Sequence, residues 1–234
     1  MSNKRRSKVN ADRATCPLTF GITKNHTVDE YLAHSKIIDW RTDAVRSQAQ
    51  TLANGSSDDE VIAERCFIFV RDHIRHSRDH RFPVVTLSAS SVLHHRAGYC
   101  YAKAHLLAAL LRACDIPAAL CYQRLQLSDT EPRFTLHGFN AVFLRRHGWY
   151  RLDARGNKPG VDAQFCPPAE RLAFHPRELG ERELPGLFAE PLGSIVSVLS
   201  RSISEDDVYN ALPDVDDEPS INHAAEQGAG GNPH

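Results

Sequence analysis

The chain reads as an α+β fold in which N-terminal helices pack on an antiparallel β-sheet. Two observations predict it. Residues 100–114 are apolar nearly all round apart from Lys103, His105 and Arg112, as in a helix at the buried centre of a domain. After Pro117 the apolar period changes from helical to two, so helices come first and hairpin-linked strands follow.

Composition sets the frame. The 234 residues are 41% apolar and 24% charged, which suits one globular domain able to bury a core without staples. The chain divides into a polar N-terminal segment, 1–30, a single domain over 31–200 with its core at 58–165, and a tail, 201–234. From Ser202 to His234 there are eight acidic residues and no Lys or Arg, so the tail reads as largely disordered and acidic. Lys4, Arg5, Arg6 and Lys8 make a short basic run, read as a solvated terminus. The net charge of −1 predicts neither a nucleic-acid nor a membrane partner. No apolar run has the length of a membrane span or a secretory signal. The six cysteines form no CxxC pair, and Cys66, Cys114 and Cys121 lie in apolar segments. They read as free thiols in a reducing compartment, which predicts a cytoplasmic protein.

The elements follow in order. "SKIIDWRTDAVRSQAQTLA", 35–53, spaces Ile37, Ile38, Trp40, Ala44, Val45 and Leu52 as a helix does. "NGSSDDE" stops it at Gly55 and starts another behind Ser57 or Asp58. "DEVIAERCFIFVRDHIRH" then carries a broad apolar face. "RFPVVTLSAS" is a loop, with Ser90 or Ser91 capping a short turn through His94. The central helix begins near Cys100 and ends before Pro117. "AALCYQRLQL" is a strand, "SDTEPRF" a loop, and "LHGFNAVFL" and "WYRLDARG" two strands joined around "RRHG". "AERLAFHP" is a further strand and "EDDVYNALP" a short helix.

Cys100 stands where a Gly-led loop becomes that central helix. A helix N-terminus, with unpaired N–H groups and a positive dipole end, favours thiolate, and a neighbouring imidazole favours it further. His105, five residues on, lies about 140° around the helix axis and points away. The directions of His94 and His95 are open. His137 opens a strand, and Gly138 beside it lets another element come close. Asp153 follows sixteen residues later. If the hairpin loop has an odd length, as Arg145 to His147 would, Asp153 shares a sheet face with His137, diagonal to it and about 7–8 Å away between backbones. A carboxylate there would hold the imidazole's tautomer and orientation.

"AGYCYAKAHLLAALLRACDIPA", "LHGFNAVFL" and "GWYRLDARG", in this order, resemble the core of the bacterial transglutaminase-like superfamily. "RCFIFVRDHIRH" and "SASSVLHHRAGYC" resemble the segments before the nucleophile, so the likeness covers roughly Asp58 to Phe165. It implies a papain-like fold, with a Cys-bearing helix on a sheet carrying His and Asp. It also implies a cysteine-dependent acyl transfer: Cys100 attacks an amide or ester carbonyl, His137 pairs with it and protonates the leaving amine, and Asp153 orients His137. The Cys100 N–H would be half of an oxyanion hole. No cofactor and no metal are implied; the partner is a peptide or amide substrate, and a protein could supply it. "GYCY" replaces the Gly-Gln-Cys-Trp of the eukaryotic crosslinking enzymes, whose extra β-rich domains do not fit in this length. The expectation is therefore hydrolysis of an amide or peptide bond. Transglutamination with an amine acceptor and a non-catalytic binding module on the same fold are the alternatives.

Taken singly, Cys100 also fits a buried thiol, His137 a strand histidine bonded to a carbonyl, and Asp153 a turn cap; together they do not. Tyr99, Tyr101, Lys103 and Trp149 are candidates for the substrate groove. Lys103 lies one turn after Cys100, where a lysine more often reaches solvent, and Trp149 could equally pack in the core. "RDHIRHSRDH" offers His73 and His76 at i, i+3, with Asp72, Asp79 and His80 near, as two metal ligands on one helix face. No HExxH accompanies them, and a solvated helix end is the preferred reading. Specificity is expected from "SDTEPRF", from the loop after "DARGNKPG" and from the C-terminal region crossing the cleft.

Overall fold

The computed structural model describes residues 28–128 and 131–215. The basic run and nearly all of the polar segment 1–30 lie outside the described residues, as does the tail from 216 on. After a 3-10 turn at Val28–Leu32, the helices are α1 (Asp43–Ala53), α2 (Asp59–His73), α3 (Ser77–His80), α4 (Ala89–His95), α5 (Cys100–Ala113), α6 (Gly193–Arg201) and α7 (Glu205–Asn210). The strands are β1 (Arg75–His76), β2 (Ala97–Gly98), β3 (Ala118–Ser128), β4 (Glu131–Leu144), β5 (Gly148–Leu152), β6 (Gln164–Cys166), β7 (Ala169–Arg171) and β8 (Arg182–Glu183). The main sheet is antiparallel, in the order β5-β4-β3-β8. The α+β fold class is thus observed. No helix of the described residues is long and apolar enough to cross a membrane.

Helix α5 is the axis of the molecule, and Cys100 through Arg112 are all buried. Its apolar surface packs against α1, α2 and α4 and against β3 and β4. Its polar residues are the exceptions that need partners, since an unpaired polar group in a core costs about 1–3 kcal/mol. Each one reaches backbone carbonyls of other segments. Arg112 donates to Ala118 O, Ala33 O and Ala189 O at 2.7–3.1 Å. His105 Nδ1 lies 2.9 Å from Leu87 O. Lys103 Nζ donates to Ile74 O and Arg71 O, the end of α2.

Helix α5 meets β4 closely at one point. A Cβ on Gly138 would stand 2.9 Å from Tyr101 Cδ1 and 3.3 Å from Tyr101 Cα. The glycine beside His137 is therefore required by this approach.

Several boundaries differ from the sequence reading. Helix α1 begins at Asp43 rather than near Ser35, because Ser35 Oγ accepts from Ile37 N and Ile38 N and ties that stretch into a turn. Ser88, not Ser90 or Ser91, caps α4; Ser90 N and Oγ are both engaged by Asp39. Strand β4 extends back to Glu131 through most of the expected "SDTEPRF" loop, pairing with β3 beyond an irregularity between Gln126 and Ser128. "AERLAFHP" supplies only the short β7. The helix at "EDDVYNALP" is present as α7. Helix α6 carried no strong local signal; it is held by Ile195 and Leu199 packing into the core.

Candidate functional site

The site is assembled where the N-terminus of α5 meets β4. Tyr99, the N-cap of α5, is extended and makes no side-chain cap hydrogen bond, which leaves first-turn N–H groups without a capping acceptor. Cys100 is the first residue of the helix and is 8% exposed. It lies in a cleft of about 520 Å³ that His137 also lines.

The hairpin sets the partner. Strands β4 and β5 pair from Leu144↔Gly148 to Asn140↔Leu152, leaving a loop of Arg145, Arg146 and His147. The next position therefore puts Asp153 diagonal to His137, as the odd loop length required. His137 Nε2 and Asp153 Oδ2 are 2.7 Å apart and both side chains are buried. Asp153 also accepts from Arg155 N (3.0 Å) and Ala173 N (3.2 Å). Burial disfavours its charge, but the His137 imidazolium and these donors outweigh that and hold its carboxyl below the ordinary range.

For His137, burial favours the neutral ring. The charges of Asp153 and then of Cys100, with side-chain hydrogen bonds to both, overcome it and raise the imidazole to about 10. With Nε2 taken by Asp153, Nδ1 is the nitrogen left for the sulfur. The ring stands edge-on to Phe174 at 5.0 Å and stacks on Phe139 at 6.1 Å. These contacts fix its plane.

The structure thus brings Cys100, His137 and Asp153 together. Tyr99 and Tyr101 also line the cleft. The Tyr101 hydroxyl donates to Leu136 O, and the Tyr99 hydroxyl donates to Glu205 O (3.0 Å) and lies 3.1 Å from Glu205 Oε1.

Two other candidates are elsewhere. Lys103 is 1% exposed and is not among the cleft residues; its ammonium caps α2 from within the core instead of reaching substrate or solvent. Burial, helped by the charge of Arg155, brings it down to about 7, against the opposing pull of Asp153, Asp72 and Asp79. Trp149 shares the sheet face of His137 and Asp153 but stands at the hairpin end, outside the cleft, its ring 4.9 Å from Tyr31 and 5.6 Å from Phe143. Odd and even residues of β5 face opposite ways, and it is Tyr150 and Leu152 that face the core under α5.

The expected helical pair His73 and His76 does not exist. Helix α2 ends at His73, Ile74 is extended, and His76 belongs to β1. Among the described residues no group of three or more His, Cys, Asp or Glu could hold a metal ion. The five described cysteines, Cys66, Cys100, Cys114, Cys121 and Cys166, are free.

Further walls come from several segments, Phe174, His175 and Glu181 among them. Leu127 and Thr135 stand near the β3–β4 turn, Lys158 and Gly160 follow "DARGN", and Tyr209 and Leu212 come from the C-terminal segment. That segment is anchored at Arg124–Asp214 (2.6 Å), Arg78–Glu205 (2.7 Å) and Leu136 N to Pro213 O (2.9 Å). His76 and Asp79 also line the cleft. Sequence reading noticed them only within a His-rich stretch. The pairing of β1 with β2, His76 opposite Gly98, brings them to the side of Cys100, and no local pattern announces a two-residue strand.

Residues 20–154, more than half of the chain, match the model of the transglutaminase-like superfamily. No curated protein matches. Among solved structures, a candidate cysteine protease from Cytophaga hutchinsonii is 20% identical over 55% of this chain and 42% of its own, with a TM-score of 0.45. The periplasmic domain of TgpA from Pseudomonas aeruginosa is 16% identical over 53% of this chain and 45% of its own, with a TM-score of 0.41. The matched part is thus less than half the length of either relative. The chain belongs to the transglutaminase-like superfamily.

Proposed function

We propose that the protein is a cysteine-dependent acyl-transfer enzyme that hydrolyses an amide or peptide bond through a thioester on Cys100. The observation that carries this reading is the buried Asp153–His137 pair facing Cys100 in one cleft. In the reading, the Cys100 thiolate adds to the substrate carbonyl carbon while the Cys100 N–H stabilises the oxyanion. The C–N bond breaks, and the leaving amine takes its proton from the His137 imidazolium. Asp153 holds the ring in place throughout. Water then hydrolyses the thioester.

Alkylation of each cysteine by iodoacetamide, followed by peptide mass across pH, tests the reading. A nucleophile of this kind reacts rapidly at neutral pH, below the range of a free thiol near 8.5. Fast reaction is expected at Cys100 alone and is lost in His137→Ala. A Cys100 as slow as Cys66 at every pH, and indifferent to His137, would remove the basis for an enzyme. Hydrolysis of an activated ester, with and without an added primary amine, then separates water from amine as acceptor.

A further inference from the structure

Of the arginines, lysines and acids that line the cleft, all but one are engaged within the protein. Arg78 donates to Glu205 (2.7 Å) and Asp206 (3.1 Å). Arg155 and Lys158 share the carboxylate of Asp79 at 2.6–3.1 Å. Glu181 turns both oxygens to backbone amides: Oε1 accepts from Gln126 N (2.9 Å), and Oε2 from Arg177 N (2.8 Å) and Glu178 N (3.0 Å). Arg177 lines the same cleft as Cys100, and among the described residues its guanidinium has no hydrogen bond, ion pair or ring contact.

The backbone under this guanidinium is tied down. The Arg177 amide is held by Glu181, which the Gln126 amide anchors to β3 in turn. Gly180 O accepts from Arg124 Nη1 (2.8 Å), another β3 residue. Gly180 itself, at φ +94°, lies flush on Phe134 of β4, where a Cβ would stand 2.8 Å from the ring. Arg177 therefore differs from an ordinary surface arginine in two respects: it stands on the cleft wall, and its main chain is fixed to the strands that carry the site. The group its planar fork fits is a carboxylate, through two parallel N–H···O bonds.

We propose that Arg177 is a specificity-determining residue and that the substrate is an acidic peptide, one carboxylate of which binds Arg177 while the scissile bond lies at Cys100. This rests on the acyl-enzyme reading above and names the class of substrate for it.

The test is protection of Cys100 in the full chain from iodoacetamide, read by peptide mass at physiological salt. The protectors are the capped hexapeptide acetyl-Glu-Gly-Glu-Gly-Glu-Gly-amide and its counterparts with Gln or Lys in place of Glu. Peptide mass in the same samples records any cleavage, which counts as binding. The Glu peptide should protect at about tenfold lower concentration than the Gln peptide, the scale of one charge-assisted pair, and the Lys peptide should protect least. In Arg177→Gln the advantage of Glu over Gln should shrink to about twofold or less, the scale of unpaired surface attraction. Arg146→Gln makes the same change of net charge on the β4–β5 hairpin, at a side chain 69% exposed and outside the cleft, and should keep the full advantage. Equal protection by the three peptides would overturn the proposal, as would an advantage that survives in Arg177→Gln or is lost equally in Arg146→Gln. Each of these, with Cys100 still the fast thiol, would spare the acyl-enzyme. A Cys100 as slow as Cys66 without any peptide would overturn both.

Discussion

The two ends of α5 handle buried polarity in opposite ways. At the C-terminal end, Arg112 spends its guanidinium on the carbonyls of Ala33, Ala118 and Ala189. Burial pulls it down to about 10, against the opposing charges of Glu190 and Tyr31. At the N-terminal end, ionisable groups meet one another: Asp153 with His137, Asp79 with His76 and Arg155, all around an open cleft. The first arrangement ties segments together and has no group free to exchange a proton. The second holds protons at defined atoms beside Cys100. Burial and polarity alone do not mark a candidate site. What marks it is titratable groups facing each other and a cavity.

The largest effect expected at the N-terminal end is from Asp153→Asn. The fold can be kept while the imidazole loses its orienting charge, and turnover of an activated ester by Cys100 should fall by about 10³-fold or more. Turnover within a few-fold of the parent would mean that His137 is oriented by its ring contacts alone. At the other end, Arg112→Met should cost about 2–4 kcal/mol in urea unfolding, because the buried carbonyl of Ala118 and the part-buried ones of Ala33 and Ala189 lose their donor, and should leave Cys100 alkylation at the parent rate. Slower alkylation in a folded Arg112→Met would show that the two ends are coupled and break the contrast.

The smallest effect is a slope. Lys103, brought down to about 7 from 10.5, binds its proton more readily unfolded, so its contribution makes stability rise with pH between about 7 and 10.5. His137, raised to about 10 from 6.5, has the opposite sign: its contribution is full below 6.5 and is lost as pH rises through about 10. The two oppose each other over about pH 7–10. Lys103→Met should therefore make thermal stability fall more steeply with pH in that window than in the parent. Parallel curves for variant and parent would show that Lys103 keeps its proton in the folded chain across the window.

Sequence alone determined the frame of the site. The all-round apolar run fixed α5 as a buried helix, since no other placement satisfies so many apolar side chains. A Gly-led start put Cys100 at its N-terminus. Strand alternation plus a three-residue loop put Asp153 diagonal to His137, because the side-chain period of a strand is two whatever surrounds it. Those are local rules, and they survive folding. What depends on which distant segment supplies a partner was decided only by the tertiary structure. Lys103 looked like a surface lysine one turn from the nucleophile, and became a core residue because the end of α2 offers it two carbonyls. Trp149 looked like a groove residue, and packs against Tyr31 and Phe143 at the hairpin end of the sheet, outside the cleft. His76 looked like part of a solvated helix end, but the helix stops at His73 and a two-residue parallel pairing carries it to the cleft. Charge, packing and backbone acceptors brought together from positions far apart in sequence set these outcomes, and no period along the chain encodes them.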